Sequence, residues 1–98
     1  MPVFSVTYAL QGETTSKKAS LKMRISNECS HYLEYLDNSW IVKFKGSAND
    51  LYDYLRKGMD SKDHVLVIPV LQQCQGWLPK EYWDKINSMF IEGIQYVK

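Results

Sequence analysis

Val3-Phe4-Ser5-Val6-Thr7-Tyr8-Ala9-Leu10 is the stretch that decides how this chain folds. Phe4, Val6, Tyr8 and Leu10 fall on one side, and Val3, Ser5, Thr7 and Ala9 on the other. That period of two marks a half-buried strand. The rest of the chain must supply partners for this strand and a cover for its apolar side. Gln11 to Ser16 is polar and holds Gly12, so it reads as a loop in which Thr14, Thr15 or Ser16 can cap the next helix. From Lys17 to Cys29, the apolar positions Leu21, Ile25 and Cys29 recur every four residues. Lys17, Lys18, Lys22 and Glu28 lie largely elsewhere, which predicts an amphipathic helix.

His31–Leu36 and Ser39–Phe44 are β-prone runs joined by Asp37-Asn38, two residues that tolerate positive φ. They read as a hairpin. Gly46 closes the second run. Ser47 is a good N-cap, with Asp50 three residues on to complete a capping box. Ala48, Leu51, Leu55 and Met59 form the buried stripe of a second helix. Val65–Val70 is a fourth strand, and Pro69, which cannot donate to a ladder, places it at an edge or bulge. From residue 72 to 98 the chain becomes an aromatic tail. Pro79 suits the first turn of a short helix, and Tyr82, Trp83, Ile86 and Phe90 follow at helical spacing. Ile94-Gln95-Tyr96-Val97 reads as either a short strand or an unstructured end.

The order β-α-β-β-α-β within a single domain, residues 1–98, predicts an α+β, ferredoxin-like fold. Its four-stranded antiparallel sheet carries two helices on one face, and a helical tail follows. Right-handed crossovers give the strand order 4-1-3-2.

Composition narrows function more than it names one. No run of eighteen apolar residues is present, which argues against a membrane partner, and the start lacks a signal-peptide pattern. Cys29 and Cys74 have no CxxC or Cys/His context and read as reduced thiols. These features point to a cytoplasmic protein. A net charge of +1 gives no electrostatic argument for nucleic acid. No P-loop, GxGxxG, GxSxG, HExxH or zinc pattern occurs, so no cofactor has local support.

Several stretches, in this order, carry a resemblance. They are Phe4 to Leu10, Leu33 to Val42 through Asp37-Asn38-Ser39-Trp40, Ser47-Ala48, Met59 to Val67 through Asp60-Ser61-Lys62-Asp63-His64, and Gly76 to Trp83 through Trp77-Leu78-Pro79. The chain resembles the ferredoxin-like group containing the small CRISPR-associated endoribonuclease of the spacer-acquisition complex, and is most similar to its SinR-like branch. The resemblance implies a homodimer. It also implies that first-strand carboxylates from two protomers can hold a divalent metal for phosphodiester cleavage, because a hard cation needs oxygen ligands. Here the position of that acid is Ala9, and no catalytic residue is carried over.

The expected function is therefore a non-catalytic dimeric interaction module, or a nucleic-acid-associated one. Alternatives are a Mg- or Mn-dependent endoribonuclease using other carboxylates, and a toxin–antitoxin or defence regulator acting through a protein partner. Asp60 and Asp63 are the replacement metal candidates. The plainer reading is a helix-to-strand turn with solvated carboxylates, at the far end of a crossover from Tyr8 and Ala9. Arg56, Lys57 and Lys62 are candidate contacts to RNA or DNA. Lys17, Lys18, Lys22 and Arg24 offer either phosphate contacts or a solvated helix face. Val67, Pro69, Trp77 and Trp83 are candidates for the dimer interface. Trp40 reads as packing beneath a helix. His31 and His64, each at a strand entrance, have no sequence-near partner for acid–base work.

Overall fold

The computed structural model describes residues 1–91, so the segment 94–97 lies outside the described residues. The elements are β1 (Val3–Ala9), α1 (Thr14–Glu28), β2 (Cys29–Leu36), β3 (Ser39–Phe44), α2 (Ala48–Arg56), β4 (His64–Pro69) and α3 (Lys80–Met89). The strands form one antiparallel sheet in the order β2-β3-β1-β4. This is the ferredoxin-like arrangement, with β1 and β3 central and β4 at an edge. Val6 is the hub of the register, opposite Trp40 on one side and Val67 on the other.

Period two sends the two halves of β1 to two different cores. Phe4, Val6 and Tyr8 join Leu21 and Ile25 of α1, Trp40, Val42 and Phe44 of β3, and Leu51 and Leu55 of α2. On the opposite face, Val3, Leu33 and Ile41 pack with Ile86 and Met89 of α3. The tail helix thus covers its own sheet, over β2 and β3. β3 is buried at all six positions, with that double cover enclosing Trp40 to Phe44. Fully burying a side chain such as Leu51 or Leu55 contributes about 1.5–3 kcal/mol.

The ends of the elements depart from the sequence reading in ways that have local causes. α1 begins at Thr14, so Thr14 to Ser16 lie in its first turn rather than capping it; Glu13 is the N-cap and makes no side-chain cap bond. The Ser47–Asp50 capping box forms as expected. α2 ends at Arg56, short of Met59, because Lys57 and Gly58 turn the chain away. Pro79 sits at the N-cap of α3, just before its first turn. The Asp37-Asn38 turn uses no positive φ. A register shift between Glu34 and Leu36 absorbs the hairpin twist instead. Positive φ is needed at Gly46 (+149°), where an added Cβ would stand 2.7 Å from the Phe44 ring.

Candidate functional site

The first-strand position at issue, Ala9, is exposed at the end of β1. Its register partner is His64, and Thr7 lies opposite both Leu66 and Ser39. These residues, with Ser5 and Ile68, form the part of the second sheet face that α3 leaves open. Thr7 Oγ1 and Ser39 Oγ are 3.4 Å apart. Two shallow clefts flank Ala9. One, of about 250 Å³, is lined by Thr7, Ala9, His64 and Leu66. The other, of about 300 Å³, is lined by Tyr8, Ala9, Lys18 and Asn38. The Tyr8 hydroxyl points away from this locus, donating to the Asp37 carbonyl at 3.2 Å.

Asp63 is next to this locus rather than remote from it. Antiparallel pairing of β1 with β4 brings the residue before His64 alongside the residues after Ala9. Asp63 is also buried, not solvated: its side chain is 0% exposed. Its Oδ1 accepts from the Gln11 N–H at 2.7 Å and its Oδ2 from the Asp60 N–H at 3.0 Å. Lys17 Nζ donates to Asp63 at 3.1 Å and to Asp60 Oδ2 at 2.7 Å. Asp60 Oδ1 accepts from the Lys62 N–H at 2.8 Å, the hydrogen bond of an Asx turn. The two backbone N–H groups, with Lys17 behind them, hold the Asp63 carboxyl down at about 2. Hydrogen bonds from Lys17 and the Lys62 backbone lower Asp60. The bond to Asp60 chiefly raises Lys17.

This cluster does structural work. Its carboxylate oxygens are occupied by an ammonium and by backbone donors, so Asp60 and Asp63 tie the α2–β4 turn to the start of α1. Among the described residues, no group of three His, Cys, Asp or Glu side chains is placed to hold a metal ion. Arg56 belongs to the same tie: its Nη1 donates to the Asp63 carbonyl at 3.0 Å. Lys57 and Lys62 remain exposed nearby. Lys17 is committed to the turn. Arg24 is held by Tyr54, donating to its carbonyl at 3.2 Å while the Tyr54 hydroxyl donates back to the Arg24 carbonyl at 2.9 Å.

The interface candidates separate. Val67 is half-buried against the helices, and Pro69 is exposed at the edge. Trp83 packs into the cluster beneath α3, whereas Trp77 is 99% exposed. Sequence reasoning placed the edge strand at a dimer contact through Val67 and Pro69 without singling out Leu66 and Ile68, exposed on the open sheet face, or Leu71 just beyond them. Their alternation with Val65 and Val67 was available as a signal, but the continuous apolar run hid it. It also missed Lys43, buried on β3, whose Nζ donates to the Ile91 carbonyl at 2.9 Å just beyond α3. Cys29 is a buried free thiol, pushed up to about 12 by burial. His31 is exposed beside Ser30. No helix among the described residues is long and apolar enough to cross a membrane.

No protein-family model and no curated protein matches the chain. Among solved structures, it is similar to a hypothetical protein, TT1823, from Thermus thermophilus. That match has 16% identity and a TM-score of 0.55, covering 80% of this chain and 94% of the other. The likeness extends to the fold, the ferredoxin-like α+β sheet with its helices.

Proposed function

We propose that this chain is a non-catalytic interaction module of the SinR-like, CRISPR-associated type, working in the cytoplasm as a homodimer joined through β4. The observation that carries this reading is the state of the β4 edge. Among the described residues the strand has one neighbour, β1, and its other side is unpaired. Leu66 is 58%, Ile68 48%, Leu71 76% and Trp77 99% exposed. A bare strand edge bordered by large apolar side chains invites pairing with another chain. A second copy offers the same edge, and two-fold antiparallel pairing closes on itself.

The non-catalytic half of the reading is supported by Ala9, whose methyl group cannot bind a cation, and by the occupied oxygens of Asp60 and Asp63. Thr7 and Ser5 are neutral hydroxyls and do not offset a divalent charge. Of the candidate contacts Arg56, Lys57 and Lys62, the exposed Lys57 and Lys62 are the cations such a module would offer to RNA or DNA.

Two measurements test the proposal. Light scattering should give a dimer at micromolar concentration, and Leu66→Asp/Ile68→Asp should give a folded monomer; a monomeric parent protein overturns it. RNA and DNA should survive incubation with Mg or Mn and the purified protein. Cleavage that disappears in Asp60→Asn/Asp63→Asn, with the fold checked by circular dichroism, would instead establish the metal-dependent endoribonuclease. Cleavage gained by Ala9→Asp would mark an enzyme that has lost its acid. A monomer recovered with one stoichiometric protein partner would establish the regulator.

A further inference from the structure

Trp40 enters the structure with an unmet need. It is 4% exposed, and its indole Nε1–H is enclosed without an acceptor among the described residues. A buried donor left unpaired is costly, and native structures normally supply a partner for it. Trp40 also walls a cleft of about 200 Å³ whose other lining residues are Lys18, Ala19 and Lys22 of α1 and Glu34 of β2. Lys18 and Lys22 stand one helical turn apart, a like-charge spacing that disfavours the helix unless something between them is negative. Glu34 answers this only weakly: its carboxylate is 3.9 Å from Lys18 Nζ, between side chains 44% and 36% exposed. Lys22 has no ion pair or hydrogen bond among the described residues. Ala19, between the two lysines, leaves the space open.

The geometry points to a binding site for a phosphoryl group in this cleft, between α1 and the β2–β3 hairpin. Lys18 and Lys22 provide the charge, and Trp40 Nε1–H provides the enclosed donor. The chemistry fits because phosphoryl oxygens accept several charge-assisted hydrogen bonds at once. The volume admits a phosphate group with part of what it is attached to. On entry the anion takes Lys18 from Glu34, whose exposed side chain swings into solvent, and reaches the indole N–H. The cleft lies at the β2–β3 side of the sheet, away from the β4 edge. The site and the proposed dimer contact therefore stand or fall separately.

Nitrogen-15 NMR on the full chain tests the site through the indole N–H signals. The three tryptophans give three such signals, and Trp40→Phe identifies the one that matters. Inorganic phosphate, and separately a single-stranded oligonucleotide, are titrated at constant ionic strength against chloride. The expected result is a saturable shift of the Trp40 signal by one or both. Response to phosphate alone assigns the site to a free phosphorylated ligand, and response to the oligonucleotide assigns it to a nucleic-acid backbone. Lys18→Gln/Lys22→Gln should weaken binding about tenfold or more, and Lys22→Arg should retain it. Ala19→Leu should block it by filling the space. Glu34→Gln should tighten binding, since it removes the competing carboxylate. No saturable shift, a shift matched by chloride, or binding unchanged in both Lys18→Gln/Lys22→Gln and Ala19→Leu overturns the proposal.

Discussion

The Asp63 carboxylate joins three parts of the chain: Gln11 after β1, Lys17 in the first turn of α1, and Asp60 at the start of its own turn. Its pH dependence has a definite sign. The folded-state value, about 2, lies below the ordinary value of 3.8. The stabilisation is therefore complete above about 4 and is lost as pH falls toward about 2. Acid unfolding followed by circular dichroism should show this loss, and Asp63→Asn should flatten the curve in that window. Asp63→Ala should lower Tm more than Lys17→Met. The first leaves two backbone donors unpaired in a buried place, whereas the second leaves a carboxylate that still accepts both of them. Little of this tie was legible in the sequence. Asp60 and Asp63 were readable as turn residues because an Asx turn is local. Their partners Gln11 and Lys17 lie more than forty residues away, brought in by strand pairing, and no short motif encodes that meeting.

At the level of elements, periodicity carried most of the information. The repeat of two in β1 and of four in α1 and α2 reflects which side chains face the core, so element types and helix faces followed from them, and right-handed crossovers then set the strand order. Leu55→Ala in α2 should destabilise the fold by about 2–5 kcal/mol in urea denaturation, because Leu55 is 0% exposed between helix and sheet. Gly46→Ala should cost about 1–3 kcal/mol by the same measurement. The positive φ and the Phe44 ring leave no relaxed position for a methyl group there. What the pattern concealed was the second core. Val3 shares the odd-numbered side with exposed Ala9, and nothing local to β1 says that α3, nearly eighty residues on, covers one and not the other. The tail was readable as a helix with an aromatic stripe, but that stripe fitted its own sheet and a partner's equally well. Trp83 went to the former, and Trp77 stayed outside.

For the molecule as a whole, the pairing proposed at the β4 edge would link stability to assembly. If two copies pair there, the melting temperature should rise with protein concentration, since dissociation accompanies unfolding. Scanning calorimetry across a hundredfold concentration range checks this, and an invariant Tm in the parent protein counts against pairing. The double cover of β3 leads in a different direction. A strand shielded by α1 and α2 on one face and α3 on the other, and flanked by β1 and β2, cannot lose its backbone protons to solvent without several elements parting. In heavy water, the amides of Ile41 and Val42 should therefore exchange slowest, close to the global unfolding limit, while protons on the outer side of β4 exchange early. The chain would then come apart from its margin inward. The first opening to break β1–β4 pairing would present Val65 and Val67 beside Leu66 and Ile68, an unbroken apolar run of four residues. Such an opened form is the species most prone to irreversible clumping.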